Sequence, residues 1–382
     1  MVSGTTSAPL RDLVTPDSIA FATYGEAQSE RQRWFGDGLI KEMTRLGHSY
    51  VGNDVTNAKL IINLTSIASP IPFRRKAKSK TTYVVCVVEA TEEPESYIKA
   101  AYPIMVRSLS NLAIYLVTRE GRTDAHFVTM EQGHYTVEQT PGRADADYFR
   151  EVFERLQPLA TAHLVIDNVY VPDLPEPMWA GDELTRRVTW AGEQLDKLNL
   201  LPAPWPIEDL LDGRDRRHVM HLYGIGGLSY GNLSVRRDDK TFWMSASGVN
   251  KARLQDVGRD ILLVTDYDES QSRMILSVPP NVKPRRVSVD AIEHYMIYHE
   301  HPAVGAIIHI HAWIDGVKST HINYPCGTHE LAVAVADLVR QAPDPSRAIV
   351  GQKNHGLTIT GHSLQEIFER IEGKVDTQVP MS

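Results

Sequence analysis

Cysteine is nearly absent: Cys86 and Cys326 are the only two in 382 residues. Two distant thiols with no CxxC spacing build no disulfide framework, so a reducing compartment, the cytoplasm, is expected. Long apolar runs are also missing. YVVCVV (83–88) falls far short of the roughly 18–20 residues a membrane span needs. The N-terminal stretch MVSGTTSAPLRDLVTPDS has no charged start followed by an apolar core. Neither a span nor a secretory signal is therefore expected. Positive charge is not in excess: 40 Lys and Arg against 48 Asp and Glu give a net charge of −8. That balance does not suit a dedicated nucleic-acid binder. There are no internal repeats and no low-complexity tracts. What is present, 42% hydrophobic and 23% charged residues, is the composition of a soluble globular enzyme. The length favours two domains, because single cores stop growing near roughly 250–300 residues.

The first part of the chain alternates strand-like and helix-like segments. IAFATYG (19–25) is β-rich, and Phe35, Leu39, Met43 and Leu46 follow at helical spacing. AKLIINLT and TYVVCVVEA have strand length. YIKAAYPIMVRSLSNLAIYLV (97–117) reads as a helix, ended or kinked in its first part by Pro103. HFVTMEQGHYTVE reads as a hairpin around Gly133. The helix DYFREVFERLQPLA leads into the strand HLVIDNVYV. The expectation is an α/β domain over residues 1–172, of unassigned role. The proline-rich VPDLPEPMW punctuates the chain and places the boundary at about 171–182. A helix then carries Leu184, Val188, Ala191, Leu195 and Leu198 on one face. Short strands and turns follow from residue 220. A helix is expected at about 288–300, then a strand, a helix near 329–341, and a final strand, turn and helix from 347.

AVGAIIHIHAW (303–313) places two polar rings in an apolar run. In a strand, residues i and i+2 share a face, so His309 and His311 project together, about 6.5–7 Å apart along the backbone. They can converge on one metal ion, or be two hydrogen-bonded histidines at a strand end. A third imidazole, His355 in VGQKNHGLTITG, precedes a glycine that would let the backbone come close. Three imidazoles would leave the open position that catalytic zinc keeps. Asp290, at the start of the helix feeding that strand, could add a carboxylate, or be an acid favoured by the helix dipole. GGLSYGNLSVR and FWMSASGVNK carry glycine, serine and asparagine as anion sites require, or form two ordinary β-turns. GIGGLS fails as a dinucleotide fingerprint, because Ser229 stands where the third glycine belongs. The dense basic run FRRKAKSK (73–80) reads as a solvated loop or as a phosphate-binding lid.

Taken together, GNLSVR, SASGVNKARL, SVDAIEHYMIYHEHPAVGAIIHIHAW, GTHEL and NHGLTITGHSLQEIFERIE occur in an order that resembles the class II aldolase/adducin family over residues 183–382. The resemblance implies an α/β/α sandwich around a mostly antiparallel sheet. It also implies zinc or another divalent metal, and a homo-oligomer, usually a tetramer. His309, His311 and His355 fall on the family's metal ligands. Asn232, Ser247, Gly248 and Ser288 fall where its aldolases bind a substrate phosphate, with Val289 in place of a usual second serine. Asp290 sits where some members place a catalytic glutamate and others an aspartate close to the metal. Glu293, one helical turn on, is the weaker catalytic candidate. Only 15 residues (312–326) separate His311 from Gly327, and Tyr324 is a weak counterpart of a tyrosine that reaches into a neighbouring subunit's site. The implied activity is a metal-dependent aldolase-like lyase acting on a small hydroxylated ketone, phosphorylated or not, through an enediolate. Epimerase, dehydratase or decarboxylase chemistry and a non-catalytic adducin-like scaffold are the alternatives.

Overall fold

LIINL and YVVCVV are apolar at every position, the pattern of parallel strands covered on both faces. They lie at the centre of the first of two sheets. The computed structural model of the protein describes residues 18–76, 79–129, 133–202, 207–217 and 229–381. The first sheet contains β1 (Ala20–Gly25), β2 (Ser49–Tyr50), β3 (Leu60–Leu64), β4 (Tyr83–Ala90), β5 (Leu112–Arg119), β6 (Arg122–Thr129) and β7 (Gly133–Val137). Its order is β2-β1-β3-β4-β5-β6-β7. The first five strands run parallel and the last two antiparallel.

Three helices cover this sheet: α1 (Glu30–Arg45), α2 (Tyr97–Ser108) and α3 (Asp145–Thr161). α1 and α3 pack with Ile62, Val85 and Ile114 on one face, and α2 packs with Cys86, Ala113 and Tyr115 on the other. The expected helix over 97–117 is only half right. α2 passes through Pro103 and stops at Leu109, which is left-handed at φ 58. LAIYLV beyond it is β5, fully paired between β4 and β6. Its β-branched and aromatic residues prefer the buried pleat once a strand stands on each side.

The strand Asp167–Val171, β8, was expected at the end of the N-terminal domain. It belongs to the second sheet instead, parallel to the later strand Arg273–Ser277, from Asp167↔Arg273 to Val171↔Ser277. The chain has already crossed over by then. Leu164 bridges to Thr328, and His163 pairs with Glu330 at 2.7 Å.

The second sheet adds β9 (Asn232–Arg236), β10 (Phe242–Ser245), β11 (Ile261–Asp268), β12 (Arg273–Ser277), β13 (Ala306–Ile310), β14 (Ile349–Gln352) and β15 (Gly356–Gly361). Its order is β14-β15-β13-β9-β10-β11-β12-β8, antiparallel except at β8. The expected final strand, turn and helix is thus a hairpin followed by a helix. α4 (Glu183–Lys197) opens on a capping box between Asp182 and Thr185 and buries Val188, Ala191 and Leu195. It shares a face with α7 (Leu364–Ile371), where Trp190 meets Phe368 edge-on at 5.5 Å. α5 (Ala291–Glu300) and α6 (His329–Arg340) pack together and are tied by the Arg340–Glu300 pair. The result is the α/β/α sandwich around a mostly antiparallel sheet. Among the described residues no helix is long and apolar enough to cross a membrane.

Candidate metal centre

β13 is a central strand, hydrogen-bonded to β9 and β15, with His309 opposite Asn232 on one side and Thr358 on the other. Both neighbours approach closely through glycine. A Cβ on Gly231 would lie 2.4 Å from the His309 carbonyl oxygen, and one on Gly356 would lie 2.1 Å from that of Ile310. The β14–β15 turn, with Asn354 at φ 60, brings His355 over the end of β13. The ring centroids are 5.1 Å apart for His309–His311, 4.8 Å for His309–His355 and 4.5 Å for His311–His355.

One ligand nitrogen from each ring lies within 4.8 Å of the others. His309 Nδ1 donates to the Leu357 carbonyl at 3.1 Å, which fixes the tautomer and leaves Nε2 as a lone pair. That Nε2 is buried and has no partner. His311 and His355 face each other Nε2 to Nε2 at 3.0 Å. Burial pushes His309 down to about 4 and His355 to about 3. It also holds His311 well below its ordinary value, helped by the two neighbouring rings. All three rings are therefore neutral near pH 7, the form that binds metal. A buried orphan nitrogen beside two opposed lone-pair donors fits a divalent cation and leaves the group unsatisfied without one.

Asp290 is the N-cap of α5, yet its side chain makes no capping bond. Oδ2 accepts from Asn232 Nδ2 at 2.7 Å, the Gly327 N–H also supports the carboxylate, and Oδ1 is buried without a partner. Burial raises its pKa, while His355, Asn232, Gly327 and Lys251 pull it back. Glu293 lies deeper. Thr358 Oγ1 donates to its Oε1 at 2.5 Å and Gln352 Nε2 to its Oε2 at 2.9 Å. Burial, then the Asp290 charge, raises it well above the usual range.

Ser247 and Ser288 are brought together by the Ala246–Val287 bridge, and the Ser288 N–H donates to the Ser245 carbonyl at 3.2 Å. Gly248 turns the chain there at φ 69, and Arg285 reaches its carbonyl at 3.3 Å. Tyr324 packs half-buried against the core. Most of GIGGLS lies outside the described residues.

Three residues of the site are not visible in the sequence. Cys326 places its sulfur 3.3 Å from His355 Nε2; it stands immediately before GTHEL, and that adjacency is its only signal. Lys251, in SASGVNKARL, is buried and donates to the Ser229 carbonyl at 2.6 Å. Burial lowers its pKa to about 8, with Asp290 acting the other way. Gln352 enters the site only through the β14–β15 pairing.

A neutral histidine triad beside a buried carboxylate, within an α/β/α sandwich, forms a site able to hold a divalent metal. Residues 216–314 match the family model described as Class II Aldolase and Adducin N-terminal domain. That matched stretch carries Asp290, His309 and His311. A methylthioribulose-1-phosphate dehydratase from Citrobacter koseri is 26% identical over 172 residues, covering 37% of this chain and 78% of that protein. Two crystal structures of YgbL, whose description leaves its reaction open between aldolase, epimerase and decarboxylase, also match. The Klebsiella pneumoniae protein is 20% identical, with 50% of this chain and 84% of that one covered. For the Escherichia coli protein the values are 18%, 50% and 83%. Both have a TM-score of 0.33, too low to bear on the fold, which rests on the strand pairing above.

Proposed function

We propose that the chain is a metal-dependent lyase acting on a small hydroxylated ketone through an enediolate. The observation that carries this is the convergence of His309, His311 and His355 beside Asp290. These histidines would hold a divalent ion, which we take to be zinc. When bound, the ion supplies Lewis acidity to carbonyl and hydroxyl oxygens. Asp290 moves the proton. Asn232 and the Gly327 N–H fix one side of its carboxylate, its Oδ1 is left for a proton, and burial raises its pKa. Glu293 is less suited, because Thr358 and Gln352 occupy both of its oxygens. It acts as support behind His309. Asn232, Ser247, Gly248 and Ser288 form the anion pocket for a phosphate or carboxylate. Val289 withholds one hydroxyl from that pocket.

Retro-aldol cleavage is the first reading. Loss of water from the same enediolate is the second, favoured by the dehydratase relative. A non-catalytic scaffold gains nothing from three converging lone pairs, two of them on buried rings. A homo-oligomer, tetrameric by the family resemblance, goes with this reading and is checked by light scattering.

The test is incubation of the metal-loaded chain in deuterated water with small ketose phosphates, methylthioribulose 1-phosphate among them. NMR follows exchange next to the carbonyl and the formation of products. Metal-dependent exchange with cleavage or dehydration supports the proposal. Absence of exchange and product across the panel would contradict it.

A further inference from the structure

The two domains meet at a cleft of about 380 Å³. That is within the size range of small-molecule sites, which favour domain interfaces. The N-terminal wall carries Arg75, Tyr83, Asn111, Tyr135 and Arg155. Arg75 comes from the basic run FRRKAKSK, and Arg155 from α3. The Arg75 guanidinium donates to the Thr82 carbonyl and, at 2.8 Å, to Asn111 Oδ1, which fixes its plane. Arg155 stands over the Tyr135 ring at 5.6 Å, and Lys353 lies within electrostatic reach of it. Asn323 on the opposite wall leaves its Oδ1 buried without a partner, an atom that a ligand hydroxyl would satisfy.

The far wall is the back of the metal centre. Val289, next to Asp290, and Pro325 and Cys326 line the cleft. The Cys326 sulfur touches His355, and the next N–H, of Gly327, supports Asp290. We propose that this cleft is a second binding site, taking a small hydroxylated anion, carboxylate or phosphate, on Arg75 and Arg155. Its occupant lies directly behind His355 and Asp290. Guanidinium forks match the paired oxygens of both anions, and the cleft mixes them with aromatic and apolar walls as small-molecule sites do. The site stands apart from the reaction proposed above, so it can be tested without a known substrate.

The probe is inorganic phosphate, titrated by calorimetry into the full, metal-loaded chain. Arg75→Gln and Arg155→Gln should each weaken binding roughly tenfold or more, with melting temperatures checked to confirm folding. Asn232→Ala, on the metal side, should leave the arginine-dependent binding intact. A second readout is alkylation of Cys326, followed by mass spectrometry. Cys86 is fully buried, with its thiol pushed up to about 11, so the reaction reports Cys326. Phosphate should slow it severalfold in the wild type and not in the arginine variants. Phosphate binding that survives both arginine substitutions but is lost in Asn232→Ala would overturn the inference, as would unprotected Cys326.

Discussion

Each domain buries a cluster of histidines, and the two clusters differ in one respect. In the N-terminal sheet, His126 on β6 and His134 on β7 are 3.1 Å apart, Nδ1 to Nε2, and Thr136 bonds to His126 at 3.0 Å. Tyr97 stacks on both rings, at 3.8 and 4.5 Å. In the C-terminal sheet, the three rings meet at one point with Nε2 of His309 unpartnered. Burial lowers the pKa in both places. Perturbed titration alone therefore does not mark a metal centre. Each cluster leaves a buried ring nitrogen without a partner, Nε2 of His126 in one and Nε2 of His309 in the other; the distinction is that only the C-terminal one brings three ligand nitrogens together at one point.

The largest expected effect that sharpens this contrast is at Asp290. Asp290→Asn keeps the shape and the Asn232 contact but removes the charge, and should reduce turnover by about 10²–10⁴-fold. His-bound metal should persist at lower affinity. Measuring activity and metal content together decides the role. Unchanged activity removes Asp290 from the mechanism, and lost activity with wholly unchanged metal affinity favours proton transfer over coordination.

The second effect belongs to the histidine pair. Burial first, then the charge of His134, lowers His126 from 6.5 to about 4. Between those values the unfolded chain binds a proton that the folded chain refuses. Stability is therefore full above pH 6.5 and falls as pH drops toward 4, on the order of 3 kcal/mol for this group. Urea titrations across that range should show a shallower acid slope in His126→Gln than in the wild type. Equal slopes would mean that the pair is not held neutral.

A smaller effect is expected at Thr358→Val. It removes one donor from the buried Glu293 carboxyl and should cost about 1–3 kcal/mol. Denaturant midpoints measure it. Turnover should change little if Glu293 is support, and a collapse of turnover at unchanged stability would return Glu293 to the chemistry.

The sequence makes the metal triad legible because its signals are local. A two-residue period places His309 and His311 on one face, and the glycine after His355 marks a close approach that Gly356 makes against Ile310. It is less informative wherever partners come from far along the chain. LAIYLV carries no breaker that separates helix from strand, and only pairing with β4 and β6 decides it. HLVIDNVYV reads as a strand in either domain, and β12 claims it. Gln352 and Cys326 are brought to the histidines by strand pairing and by the approach to α6. The cleft lined by Arg75 and Arg155 exists only once both domains are packed.

The most direct test is metal content measured side by side in the wild type, in His309→Ala/His311→Ala, and in His126→Ala/His134→Ala, each purified without added metal and confirmed as folded. About one divalent ion per chain is expected in the wild type and in the N-terminal variant, and almost none in the C-terminal one. Stoichiometric metal retained without His309 and His311 would contradict that expectation.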